Sequence, residues 1–284
     1  MPDKGRVSSG IAGLDMMLNG GYLSNSTNLV EGPPGCGKST LGMQFIYNGA
    51  QKGEPGIILT FEELPKYYYR DAAAFGWDFQ ALERNGLLKV IVSSPEVTKN
   101  DLEQTGGILE RMVVEMNARR ILIDSLTHLE ETVKNLEAPA ALTRSRRSHA
   151  GQDAIEQTPT EPHFVQRDYL YSFINAIKRQ GVTTMLTRET ANLFGDEEDQ
   201  SLDSSVHFIV DSYTMLRYVE IESAVKRAVI VLKMRGSAHD SAIRQFEIGA
   251  HGMVVMTPFE GQEGIMSGTP KRMADSFIKA FVRK

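Results

Sequence analysis

Residues Gly32-Pro33-Pro34-Gly35-Cys36-Gly37-Lys38-Ser39 set the tightest limit on what this chain can fold into. They spell G-x-x-x-x-G-K-S between a short strand-like run at 27–31 and a stretch, 39–52, where Leu41, Phe45 and Ile46 recur at helical spacing. A strand, a glycine-rich turn and a helix in that order can wrap backbone N–H groups around a wide anion. Gly35 and Gly37 allow the close wrap because no Cβ stands in the way. The helix aims its positive N-terminal end at the same point. Lys38 adds a full charge suited to β- and γ-phosphates, and Ser39 offers a hydroxyl suited to Mg²⁺. The motif therefore predicts an α/β fold with a triphosphate site at a strand-to-helix turn. A thiol at Cys36, near a helix N-terminus, is either a small residue that fits or one with a lowered pKa.

The rest of the chain continues the alternation. Compact apolar runs at 56–61, 87–92, 120–124 and 182–187 predict strands. Leu102, Thr105, Leu109, Met112, Val113 and Met116 share one stripe and predict a helix over 101–118. Leu170, Phe173, Ile174 and Ile177 predict another over 168–179. Strands separated by helices imply a mostly parallel sheet covered on both faces. After residue 205 the pattern turns β-rich at 208–221, 228–234, 244–248 and 253–256, with no helix expected between these runs. Their short gaps fit an antiparallel extension at one edge of the same sheet. The phosphate motif occurs once, so the expectation is one domain over 1–256 and a tail over 257–284.

Two segments stand apart. Residues 134–166 hold Pro139, Pro159 and Pro162 and a basic cluster at Arg144, Arg146 and Arg147. This weakly periodic run reads as a flexible insertion, either solvated or contacting a partner or nucleic acid. In 271–284, Met273, Phe277 and Phe281 recur every fourth residue among Lys271, Arg272, Lys279, Arg283 and Lys284. That is the pattern of a basic amphipathic helix, which docks on its own assembly, fills a partner groove or touches an anionic surface.

Composition narrows the function classes. Lys and Arg total 31 against 36 Asp and Glu, a net charge of −5, which argues against a surface given over to nucleic acid. One cysteine excludes an internal disulfide framework and disfavours a zinc site. No run of 18 apolar residues exists, and the polar start lacks a leader-type apolar stretch, so no membrane span and a cytoplasmic location are expected.

Hydrolysis of a triphosphate needs carboxylates beside the loop. Ile121-Leu122-Ile123-Asp124 is an apolar strand ending in an acid, at the edge where ligands of open α/β sheets collect. Asp124 therefore reads as the metal-side carboxylate, or else as the cap of the next helix. Glu62 and Glu63 end another strand. Adjacent side chains there point in different directions, so one can face the nucleotide, or the two form an ordinary solvated pair.

The ordered set of motifs resembles the KaiC-like ATPases of the RecA superfamily, as a single-domain member with a RecA-like fold. The resemblance covers 6–133 and 167–256. It rests on Gly10-Ile11-Ala12-Gly13-Leu14-Asp15 with Leu18-Asn19-Gly20-Gly21, the phosphate loop, and Thr60-Phe61-Glu62-Glu63 followed by Phe75-Gly76-Trp77-Asp78. It continues through Ile123-Asp124-Ser125-Leu126-Thr127, Gly181-Val182-Thr183-Thr184 and Leu216-Arg217-Tyr218-Val219-Glu220. Its most specific part is Leu232-Lys233-Met234-Arg235-Gly236-Ser237-Ala238-His239-Asp240.

The resemblance implies ATP and Mg²⁺ as ligands. Pro34, Gly35, Cys36, Gly37, Lys38, Ser39 and Thr40 would hold the nucleotide, Ser39 and Asp124 the metal, and the Glu62–Glu63 pair would activate water. It also implies a homo-oligomeric ring, commonly a hexamer, with sites at subunit interfaces. Lys233, Met234 and Arg235 would then come from the adjacent subunit in the manner of an arginine finger, with Ser237 and His239 near the neighbour's nucleotide. A solvated strand face is the plain alternative for Lys233 and Arg235.

Two-domain members carry adjacent Ser and Thr phosphoacceptors before the Tyr-Val-Glu strand. Here that stretch reads Val206-His207-Phe208, with Ser204 and Ser205 slightly earlier, which disfavours autokinase activity. Three functions follow as expectations: an ATP-hydrolysing ring that signals through nucleotide state, a recombinase-like DNA-dependent ATPase, and an ATP-binding scaffold without hydrolysis.

Overall fold

Burial on both sides dictates the central strands. β3 (Thr27–Gly32), β4 (Gly56–Thr60) and β6 (Arg120–Asp124) are buried along their whole length except at Asp124. Strands of this kind belong inside a sheet with covered faces. The computed structural model describes residues 5–132, 162–190, 205–221 and 223–259, with 262–263 and 271–272.

The chain opens with the paired strands β1 (Arg6–Val7) and β2 (Tyr22–Leu23) around α1 (Ala12–Met17). β3 then leads through the phosphate loop into α2 (Lys38–Gln51). β4 is followed by α3 (Pro65–Ala74) and α4 (Phe79–Arg84), and β5 (Leu88–Val92) by α5 (Pro95–Glu103) and α6 (Ile108–Glu115). After β6 comes a helix over 126–132, α7. Next are α8 (Pro162–Arg179), β7 (Thr183–Glu189) and the short α9 (Ser205–Ile209). β8 (Ser212–Ile221), β9 (Ala224–Met234), β10 (Arg244–Gly249) and β11 (Gly252–Pro258) follow. A two-stranded pair, β12 (Gln262–Glu263) with β13 (Lys271–Arg272), completes the described residues.

Nine strands form one sheet in the order β11-β10-β9-β8-β3-β7-β6-β4-β5. The six strands from β8 to β5 run parallel, and β9, β10 and β11 continue the β8 edge antiparallel. This is the mostly parallel α/β sheet with an antiparallel extension that the sequence pattern predicts, and the RecA-like fold that the family resemblance implies. Successive side chains of one strand serve opposite faces. Val30, Ile58, Leu122 and Met185 pack with Leu41, Phe45 and Ile46 of α2 on one side. Leu29, Ile57, Leu59, Ile121, Ile123 and Leu186 pack with Leu170, Phe173, Ile174 and Ile177 of α8 on the other.

Four expectations need correction. The helix predicted over 101–118 is two helices, α5 and α6. Gly106 adopts φ +76, and the Asp101 carboxylate turns to accept from the N–H groups of Ile108 and Leu109 at 2.5 and 2.9 Å, restarting the helix. The β-rich region after 205 begins with a helix, α9, so the strand predicted from 208 starts at Ser212. Residues 162–166, assigned to the insertion, are the first turns of α8. Lys271 and Arg272, the start of the amphipathic helix predicted over 271–284, instead form strand β13 paired with β12; the rest of that pattern and of the insertion lie outside the described residues.

Candidate functional site

The phosphate loop closes between β3 and α2. Gly35 and Gly37 have φ of +71 and +111. At Gly37 an added Cβ would stand 2.7 Å from Cδ1 of Ile248 and 3.3 Å from Cε of Met253. Strands β10 and β11 thus back the loop from behind. The Lys38 ammonium is buried inside it and donates to the carbonyls of Gly32 (2.9 Å) and Pro33 (3.0 Å) and to Glu189 Oε1 (3.3 Å). Pro34, Gly35 and Ser39 are exposed at the loop surface, and Thr40 is half-buried. Cys36 is fully buried, and burial pushes its thiol up despite the pull of Lys38. That corrects the lowered-pKa alternative: desolvation outweighs the helix end and the nearby charge.

Asp124 does not cap the helix that follows it. Its Oδ2 accepts from Tyr68 Oη at 2.8 Å, and its Oδ1 accepts from Thr187 Oγ1. Register explains the meeting. Thr60 on β4 pairs with Asp124 on β6, whose strand lies beside β7 and hence β3. The C-terminal ends of four adjacent parallel strands therefore carry Glu62 and Glu63, Asp124, Glu189 and the phosphate loop in a row. At ~4.8 Å per strand this row is about 14 Å wide, which suits a triphosphate with its metal.

The two glutamates diverge, as their adjacency predicts. Both backbone N–H groups turn over Thr60 Oγ1, at 3.4 Å for Glu62 and 3.2 Å for Glu63. The Glu62 carboxylate accepts from His128 Nε2 at 2.9 Å. Glu63 lies with Asp71 and Asp124, and its carboxyl is raised above the usual range, first by partial burial and then by those acids and Glu62.

The donor set fits a nucleotide with one metal ion. The loop offers a buried ammonium, left-handed glycines and the N-terminus of a 14-residue helix. Among the described residues no group of three or more His, Cys, Asp or Glu forms a self-sufficient metal cage. A hydroxyl at Ser39 and one carboxylate at Asp124 match an ion that takes its remaining oxygens from phosphates and water.

Lys233 and Arg235 lie elsewhere. Lys233 donates to the carbonyls of His207 (2.6 Å), Phe208 (3.3 Å) and Val210 (2.8 Å), and Arg235 to that of Phe208 (2.8 Å). With Lys178 on Ile209 O, they cap the C-terminal end of α9 with positive charge. Burial, and then Arg235, hold the Lys233 amine below its usual range. Met234 pairs with Ser212, which pairs with Asn28, four residues before Gly32. The segment is therefore about 13 Å down the sheet from its own phosphate loop. Ser237 accepts from Arg6 at 2.6 Å, and His239 adjoins Asp240, whose carboxyl is lowered chiefly by Arg244.

A family model described as "ATPase: KaiC" matches residues 7–145 and 140–260. The chain belongs to the KaiC ATPase family. The circadian clock protein KaiC3 of Synechocystis sp. is 32% identical over 274 residues, covering 96% of this chain and 48% of that protein. The circadian clock oscillator proteins KaiC of Thermostichus vulcanus and of Nostoc sp. are 32% and 34% identical over 269 residues, 95% of this chain and 46% of each relative. This KaiC-family chain thus spans about half the length of the curated relatives it matches. Among the described residues no helix is long and apolar enough to cross a membrane.

Sequence reasoning missed Tyr68, Thr187, Glu189 and His128. Thr187 ends the strand predicted over 182–187, so a rule collecting polar residues at strand C-termini would have found it, whereas Glu189 ends β7 two residues beyond that prediction. Tyr68 and His128 sit inside helices and carry no local signal.

Proposed function

We propose that the chain binds and hydrolyses ATP with Mg²⁺ in a homo-oligomeric ring, a hexamer by family resemblance, and that nucleotide state drives a regulatory output. In this reading the loop from Pro34 to Thr40 grips the phosphates, and Ser39 and Asp124 hold the metal. Tyr68 and Thr187 fix the Asp124 carboxylate by occupying one lone pair on each oxygen. The metal, when bound, neutralises phosphate charge. Glu62 and Glu63 orient water and take its proton, a task that suits a carboxyl whose basicity burial has raised.

The observation that carries the interface reading is the separation of Lys233 and Arg235 from the phosphate loop of their own chain. Two cations at the far end of the sheet serve a triphosphate only if another subunit presents one there. Their carbonyl contacts on α9 hold both heads on one short helix end, ready to meet anionic oxygens. Cys36, Met234, Ser237 and His239 line these two half-sites as packing and positioning contacts. The segment 134–161 and the C-terminal tail are the segments proposed to meet a protein partner.

Mixing tests the split site. Lys38→Ala should lose ATP binding, and Arg235→Ala should lose hydrolysis. A mixture of the two under subunit-exchanging conditions contains some intact interfaces and should recover phosphate release. No recovery, with light scattering showing no mass increase on adding ATP and Mg²⁺, refutes the shared site.

A further inference from the structure

We propose that His128 is a positioning residue for hydrolysis, holding the Glu62 carboxylate in place through its Nε2–H. This deepens the reading of Glu62 as part of the water-activating pair and rests on it.

Glu62 follows the end of β4 on an exposed turn, and its side chain is 72% exposed. Left alone, such a glutamate samples many rotamers, and a base that must wait for the right one is slow. Its hydrogen bond to His128 at 2.9 Å removes that freedom. Because an ionised carboxylate only accepts, Nε2 must carry the proton. In the neutral ring Nδ1 is then a bare acceptor. It is buried, has no hydrogen-bond partner among the described residues, and stands 3.9 Å from Glu131 Oε2. The ring's one hydrogen bond is to Glu62, with the Glu131 carboxylate at ion-pair distance from Nδ1.

The position of His128 explains why such a bond would matter. It lies four residues after Asp124, on the first turn of α7, which is anchored in the core by Leu126 and Leu129, both fully buried. In the same turn Thr127 Oγ1 accepts from the backbone N–H of Glu189 at 2.8 Å, and Glu189 meets Lys38. One helical turn thus ties together the metal-side acid, the residue facing the phosphate-loop lysine, and the carboxylate of Glu62. Helical backbone is stiffer than the turn carrying Glu62, so the imidazole transfers the precision of α7 to a side chain that lacks its own.

A merely structural histidine and a positioning one separate in a variant series. Phosphate release is measured for His128→Phe, His128→Gln and His128→Asn, alone and with Glu62→Gln, alongside ATP affinity and thermal midpoints. His128→Phe keeps the ring's shape but no donor, and should lower kcat on the order of tenfold with KM and ATP affinity within about twofold. Gln places its amide nitrogen near Nε2 and should restore most of the rate. Asn reaches only the Nδ1 position and should not. In a Glu62→Gln background, His128→Phe should cost nothing further.

Full kcat in His128→Phe, while Glu62→Gln lowers hydrolysis to a measurable residual rate, overturns the positioning role and leaves the Glu62 reading intact. A loss that persists undiminished in the Glu62→Gln background also overturns it. Unimpaired hydrolysis by Glu62→Gln itself refutes the base reading and the inference with it. Gln and Asn keep a polar head, so the comparison stands even if the Phe variant fails to fold.

Discussion

Gly37→Ala tests the link between the phosphate loop and the antiparallel extension. Two separable costs are visible. Gly37 adopts φ +111, and an L-residue held at positive φ costs roughly 1–2 kcal/mol. The new methyl would also lie 2.7 Å from Cδ1 of Ile248. That atom is the far end of a flexible chain, so the clash resolves by turning Ile248 off its rotamer at about 0.5–1.5 kcal/mol. Together these predict a loss of about 1.5–3.5 kcal/mol in urea unfolding. Ile248→Val removes the clashing atom and separates the terms. The double variant should recover the steric part, seen as a coupling of about 0.5–1.5 kcal/mol in a double-mutant cycle. Binding of a fluorescent ATP analogue should weaken in Gly37→Ala, because the loop must distort to accept the methyl. A Gly37→Ala protein as stable as the parent, or a coupling of zero, would show that β10 does not back the loop as described.

Three further outcomes follow from particular contacts. Glu63 has its carboxyl raised by partial burial and neighbouring acids, so the folded state favours its neutral form. That contribution is present below the ordinary carboxylate pKa and is lost as pH rises through the raised value. Glu63→Gln should therefore flatten the fall in stability across that window in urea midpoints measured against pH, and a steeper fall refutes the assignment. Cys36 is fully buried with a raised thiol pKa, so a thiol reagent should react slowly with the native protein and promptly in urea; fast native labelling contradicts the burial. Arg120 is 1% exposed and donates to Glu54 at 2.8 and 2.5 Å and to the carbonyls of Ser8 and Phe45 at 2.8 Å. Arg120→Met should cost about 2–3 kcal/mol by urea denaturation, less than the ~3–5 of a fully buried pair because Glu54 stays partly solvated.

Much of the site was legible because its signals are local. The G-x-x-x-x-G-K-S spacing places a strand, a turn and a helix N-terminus within one short stretch, and the backbone there obeys the residues themselves. Asp124 was readable for the same reason, as the acid closing an apolar run. The helix stripe over 101–118 misled because Leu102 and Leu109 do share a core while Gly106 breaks the backbone between them. Helix α9 was hidden differently. Phe208 and Ile209 opened the strand predicted over 208–221, and what holds 205–209 helical is a set of three cations from α8, β9 and the residue after it, closing on the helix's last carbonyls.

The one-dimensional pattern determined the alternation of strands and helices, the anion-binding turn and the acids beside it, since hydrophobic period and turn chemistry act between residues a few positions apart. Only the folded sheet decided that β7 and β6 stand between the loop and the two glutamates, that Ile248 supports Gly37, that Lys233 and Arg235 lie against α9 at the other end of the sheet from their own phosphate loop, and that His128 meets Glu62. Those relations join residues tens to hundreds of positions apart, where pairing register and packing choose the neighbours and no local propensity records the choice.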